Sequence, residues 1–179
     1  MKRLLLPAIL LIFLILEGTA TDFLPKEWLL SDYFMIPHWV FVILVYIAIF
    51  YDFDSTYYCV FYGIIFGFLF DLLYTDILGV YMFTYGIAAY VIHGVKKLLH
   101  ANMFVAILMS IVGVALADAL IFFLYSSVQG FVMTWKTYAL MSLIPTLLAN
   151  LVFTLVLYPF LPPLLYKWSE EQLASQKAV

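Results

Sequence analysis

Three carboxylates stand where carboxylates are costly: Glu17, Asp71 and Asp118 each lie inside a long apolar run. An ionised side chain in hydrocarbon is expensive, and it faces other helices or a water-filled space. Such groups could hold a cation, a proton or a polar head group. They could equally hydrogen-bond a neighbouring helix, reach water at the outer face, or receive a donor from a partner's helix. Asp71 ends the run Gly63-Ile-Ile-Phe-Gly67-Phe-Leu-Phe-Asp71, in which two glycines and the aspartate fall four residues apart. At about 3.6 residues per turn the three stay close to one helix face. Small residues let helix backbones approach in lipid, so the face that packs closely also carries the carboxylate.

Familiar catalytic sets are missing. A membrane aspartyl protease shares one proton between two carboxylates, but its Gly-x-Gly-Asp type signature is absent. No Gly-x-Ser-x-Gly, no His-Glu-x-x-His and no glycine-rich phosphate loop occurs. His38, His93 and His100 are scattered near the ends of apolar runs. Cys59, the single cysteine, cannot form an internal disulfide and has no ligand cluster beside it in the sequence. It reads as a small buried or lipid-facing residue. No catalytic residue, metal or cofactor is expected, and the chain does not read as an enzyme.

The elements that must position these residues are set by composition. Of 179 residues, 67% are hydrophobic and 11% charged, against about 25% charged in soluble domains. A net charge of -3 without a basic patch argues against a nucleic-acid partner. A span needs roughly 20 mainly apolar residues. Six runs qualify, at about 4–21, 37–51, 56–74, 77–95, 102–125 and 137–158. The expected fold is therefore all-α: a polytopic membrane protein, one domain over 1–179, built as a single bundle of six transmembrane helices. Residues 22–36 and Ser126 to Lys136 read as loops, Asp52-Phe-Asp-Ser55 as a tight polar turn, and 159–179 as a short polar tail behind Pro159, Pro162 and Pro163.

With the N-terminus inside, Lys2, Arg3, Lys96, Lys97, Lys167 and Lys177 fall on the inner side, and only Lys26 and Lys136 on the outer. That asymmetry places both termini in the cytoplasm. Met-Lys-Arg, an apolar run and Gly18-Thr-Ala20 also fit a secretory signal. Glu17 just before that site, and the even span count, favour an uncleaved first span. From the helix rise, Glu17, Asp71 and Asp118 lie about 20–24 Å from the inner ends of their spans, in a shared outer zone. Gly79, Gly86 and Gly94 could face Gly63 and Gly67 within this chain. Pro145 would kink the sixth span or free a carbonyl. Asn150 and Thr154 follow on a similar face as interhelical glue.

Gly67-Phe-Leu-Phe-Asp71-Leu-Leu-Tyr74, then Leu78-Gly79, then an aromatic-rich helix reaching Tyr90 and His93, resembles the rod shape-determining protein MreD family. The length, the six spans and Asp118 in the fifth are similar too, and the start Met-Lys-Arg-Leu-Leu-Leu-Pro resembles Firmicute members. The resemblance implies a multi-pass protein of the bacterial cytoplasmic membrane and a non-enzymatic subunit of the complex that builds lateral cell wall. It implies that the bundle binds and anchors MreC. MreB, a SEDS-type glycosyltransferase and a class B penicillin-binding protein would be partners in the same complex. The candidates for helix packing or partner contact are Gly63, Gly67, Asp71, Gly79, Asp118, Glu17 and Asn150. The alternative is the substrate-binding subunit of an energy-coupling-factor vitamin transporter, of similar length and span number. The first span here lacks the small-x-x-x-small alanine pair usual in those subunits.

Overall fold

The computed structural model describes residues 4–20, 35–130 and 133–177, with the side chains of Gln129 and of 174–177 left out. Lys2, Arg3, Lys26 and most of the first expected loop lie outside the described residues. Among the described residues there are seven helices and no strand. They are α1 (Leu5–Ala20), α2 (Trp39–Phe50), α3 (Tyr58–Tyr74), α4 (Val80–Lys96), α5 (Met103–Gln129), α6 (Trp135–Leu157) and α7 (Leu161–Lys177). Each of the six apolar runs overlaps one of the first six, and α4, α5 and α6 extend beyond their runs.

Helix α2 is the axis of the molecule. Every residue from Val40 to Phe50 is buried, and α2 touches all six other helices. Its sequence, Trp-Val-Phe-Val-Ile-Leu-Val-Tyr-Ile-Ala-Ile-Phe, is apolar on every face, as a helix enclosed by others must be. Around it, α3 and α4 form the most tightly joined pair. Gly67 makes that approach possible: a β-carbon there would lie 2.6 Å from the Tyr81 carbonyl oxygen and 2.8 Å from the Met82 Cα. At Gly63 the corresponding distance to the Tyr85 oxygen is 3.0 Å.

The facing surface on α4 is not the expected row of glycines. It is the backbone at Tyr81, Met82 and Tyr85 with the Ala89 side chain, while Gly86 meets the Ile64 side chain and nothing approaches Gly79 or Gly94. Gly79 serves another purpose. Its φ of 101° is open to glycine at little cost, and it turns the chain back into α4.

Helix α6 contains a π-helical stretch at Ala139–Leu143, immediately before Pro145. Proline has no N–H for the carbonyl one turn earlier, and the widened turn absorbs that mismatch. Starting with Ser142 within it, Ser142, Thr146, Asn150 and Thr154 recur every four residues and are all buried. Thr146, Asn150 and Thr154 hydrogen-bond α2 or the residues that open it.

The expected polar tail is instead a helix. Pro162 and Pro163 sit in its first turn, where proline is tolerated, so they stop α6 without preventing α7. Leu161, Leu165, Ser169 and Gln172 then bury one face, and Gln172 Nε2 donates to the Tyr58 hydroxyl at 2.9 Å. Likewise, Ser126 to Gln129 belong to α5, and Trp135 and Lys136 to α6, rather than to a loop.

The surface is unlike that of a soluble fold. Glu17, His38, Asp71, His93, Asp118 and Asn150 are buried, while Ile12, Phe61, Leu72, Phe104, Leu148 and Val152 are exposed. Met103–Val128 and Trp135–Leu157 are long and apolar enough to cross a membrane, whereas α1, α2 and α3 are shorter apolar helices. A globular protein in water keeps its charged groups outside. This chain has the surface of a membrane protein.

Candidate functional site

Asp71 is fully buried at the turn end of the α3–α4 hairpin. Its Oδ2 accepts from the Gly79 and Met82 amides, each at 3.0 Å, and its Oδ1 from the Tyr81 amide at 2.9 Å. The first N–H groups of a helix have no partner within it. A carboxylate there also meets the positive end of the helix dipole. Asp71 therefore closes the amino end of α4 from the end of α3. The Thr75 hydroxyl, donating to the Asp71 carbonyl at 3.1 Å, fixes the intervening turn.

The same device recurs. Glu17 Oε2 accepts from the Val40 amide at 2.8 Å, capping α2 from α1. Asp52 accepts from the Tyr58 amide at 3.0 Å and the Cys59 amide at 2.9 Å, capping α3 from the end of α2. The residues in the N-cap positions themselves, His38, Tyr57 and Gly79, make no side-chain cap. At α2 two residues of α6 complete the set: Thr146 Oγ1 accepts from the Ile36 amide at 3.1 Å and Asn150 Oδ1 from the His38 amide at 2.8 Å. The first amides of α2, α3 and α4 are thus each met by a carboxylate from another element.

Asp118 differs, because its partners are side chains. Its Oδ1 lies 3.2 Å from His38 Nε2, and its Oδ2 accepts a short hydrogen bond from the Tyr138 hydroxyl. The other ring nitrogen, Nδ1, lies 3.1 Å from the Tyr85 hydroxyl, which donates to Glu17 Oε1 at 3.4 Å. With that hydroxyl donating to Glu17, its oxygen is left to accept from Nδ1. The chain Glu17–Tyr85–His38–Asp118–Tyr138 links α1, α4, the start of α2, α5 and α6. Chemically it can hold protons and fix five elements at once.

At the opposite ends of α3 and α4 the fold brings together groups far apart in sequence. Asp52, Cys59 and His93 are all buried, with one ligand atom of each within 4.8 Å of the others. This corrects the sequence reading of Cys59 as a residue without a ligand cluster, since the contact from Cys59 to His93 spans 34 positions. Lys96 Nζ donates a short hydrogen bond to the Asp52 carbonyl, at the carboxyl end of α2. Burial pushes the Asp52 carboxyl above its ordinary value, against the hydrogen bonds from Cys59 and Tyr58 and the Lys96 charge. Burial also lowers the Lys96 ammonium, with Asp52 opposing.

Of the residues singled out by sequence, Gly63, Gly67, Asp71 and Gly79 meet in one hairpin, and Glu17 and Asp118 in one network that Asn150 adjoins. No hydrogen bond joins Asp71 to that network among the described residues. His38, Tyr85, Tyr138 and Thr146 were not anticipated. A signal existed for His38 alone: a histidine just before the second apolar run, near the expected depth of the carboxylates.

The family profile for rod shape-determining protein MreD matches residues 2–168. The rod shape-determining protein MreD of Bacillus subtilis (strain 168) is 33% identical over 157 residues, which is 88% of this chain and 90% of that protein. No solved structure matches the chain.

Proposed function

The chain belongs to the rod shape-determining protein MreD family, and from this premise we propose that it is a non-enzymatic, multi-pass subunit of the bacterial wall-elongation machinery. Its role in rod-shape determination rests on one observation, similarity to a rod shape-determining protein over nearly the whole of both chains. In this reading the first six helices cross the cytoplasmic membrane, both termini face the cytoplasm, and the bundle binds and anchors MreC. MreB, a SEDS-type glycosyltransferase and a class B penicillin-binding protein act in the same complex. Helix α1 is retained, because it supplies Glu17, the cap of α2.

A scaffolding role suits the geometry. Glu17, His38, Asp71, Asp118 and Asn150 are hydrogen-bonded between elements, which stiffens a bundle and fixes its outer surface. The alternative, a solute-binding transporter subunit, needs outer carboxylates free for a ligand. Glu17 and Asp71 instead face backbone amides.

Depletion of the protein from its rod-shaped host is expected to give rounded cells; cells that keep their rod shape would overturn the reading. For the partner, mild detergent extraction of tagged protein should recover MreC. Rounded cells without MreC recovery would leave the shape role standing and remove the anchoring role.

A further inference from the structure

We propose that Asp52, Cys59 and His93 form a binding site for a thiophilic divalent transition-metal ion, zinc in the first instance.

The observation that carries this is the convergence of three buried ligand atoms on one point, with His93 at its centre. His93 is 1% exposed, yet its Nε2 has no hydrogen-bond partner. Its Nδ1 points at two groups, Asp52 Oδ2 at 3.8 Å and Cys59 Sγ at 3.9 Å. The first is beyond hydrogen-bond length, normally about 2.7–3.2 Å for nitrogen and oxygen. Nδ1 thus meets the Cys59 thiol and the Asp52 carboxylate together, and one ligand atom from each of the three buried residues lies within 4.8 Å of the others.

The same spacings suit ligands of one ion. With zinc–sulfur bonds of about 2.3 Å and zinc–nitrogen or zinc–oxygen bonds of about 2.0 Å, tetrahedral angles separate the donor atoms by about 3.3–3.6 Å. The two separations at His93 Nδ1, 3.8 and 3.9 Å, exceed this by about half an ångström, and all three ligand atoms lie within 4.8 Å of one another, so side-chain adjustment closes the site. The ligand types agree as well: a thiolate, an imidazole and a carboxylate suit zinc and not magnesium or calcium.

The arrangement is not that of a thiol nucleophile with its base. A catalytic histidine uses one nitrogen for the nucleophile and the other for the orienting carboxylate. Here Sγ and the carboxylate face the same nitrogen. Asp52 keeps its capping role, because a carboxylate oxygen that accepts one amide hydrogen bond has a further lone pair. Binding would release the Cys59 thiol proton to solvent, so thiolate and carboxylate together neutralise the divalent charge. The Tyr57 ring packs on His93 with centroids 4.5 Å apart and screens that side. An open hollow lined by Asp52, Phe53, Asp54, Ser55, Thr56 and Leu173 lies beside the Asp52 turn.

Titration of the reduced, purified full-length protein in detergent with cobalt(II) tests this. Cys59 is the sole cysteine, so a thiolate-to-cobalt charge-transfer band reports this site even when a histidine tag binds metal elsewhere. The expected result is a band that saturates at one cobalt per chain, is bleached by zinc, and is lost in Cys59→Ser. His93→Gln should lose stoichiometric uptake. Absence of the band in the wild-type protein overturns the proposal, whether or not the variants fold. A band whose intensity is unchanged in His93→Gln overturns the assigned ligand set.

Discussion

Asp71 and Asp118 are both buried carboxylates, yet their removal has different consequences. Asp71 accepts three backbone amides. Asp71→Asn keeps the shape but loses the charge and turns a donor toward at least one amide, a loss of about 1.5–3 kcal/mol for a charged hydrogen bond. Asp71→Leu leaves all three amides unmet at about 1–3 kcal/mol each, so the leucine variant should melt below the asparagine variant in detergent. The reverse order would mean that Asp71 does not act as a cap. For Asp118 the partner is itself ionisable. Asp118→Ala leaves His38 buried without its carboxylate, a change that costs about 3–5 kcal/mol. Adding His38→Ala should then cost less than it does alone, with a coupling of about 0.5–3 kcal/mol in a double-mutant cycle. Additive losses would mean the two side chains are not paired. The sequence made these carboxylates conspicuous by their apolar surroundings. It did not reveal their partners, because the His38–Asp118 contact joins positions 80 residues apart and each side chain is ordinary in its own segment.

Among the elements, the hairpin of α3 and α4 was the most legible, because glycine spacing encodes close approach directly. Its glycines now separate into opposite predictions. Gly67→Ala places a methyl 2.6 Å from a carbonyl oxygen. Backbone cannot give way as a side chain can, so the pair must part at about 1–3 kcal/mol. Gly94 lies within α4 with nothing near its missing β-carbon. Gly94→Ala should stabilise by about 0.5–1 kcal/mol, the helical preference of alanine over glycine. Unfolding of both variants in detergent checks the pair; equal effects would mean the helices are not in backbone contact at Gly67. Helix α7 was illegible for a physical reason. Its residues are polar enough to read as a tail, and three prolines precede or begin it. Its buried stripe from Leu161 to Gln172 has meaning only when the inner end of the bundle is there to receive it. The central position of α2 was hidden similarly: an apolar run does not say whether lipid or protein surrounds it.

At the scale of the whole molecule, α2 sets the problem that the buried polar groups solve. Its 12 residues span about 18 Å at about 1.5 Å per residue, less than the roughly 30 Å hydrocarbon core. A helix that begins within the bilayer leaves amides without water, and such ends are tolerated only where protein satisfies them. Glu17, Thr146 and Asn150 do so at the start of α2, and Lys96 meets the carbonyl of Asp52 at its close. The two ends of the bundle therefore differ in kind. One gathers Glu17, His38, Asp71 and Asp118; the other gathers Asp52, Cys59, His93 and the adjacent lysines. In the proposed orientation, with lysines on the cytoplasmic side, the turn at Ser55 would face the cell interior and Ser127, near the end of α5, would face outward. Both side chains are exposed, whereas Cys59 is buried and should stay silent. A membrane-impermeant thiol reagent applied to spheroplasts should therefore label Ser127→Cys and leave Ser55→Cys unlabelled until the membrane is opened. Labelling of Ser55→Cys from outside would invert the bundle. It would put the Asp52–Cys59–His93 cluster on the outer side, and the lysine asymmetry would no longer describe how this chain inserts.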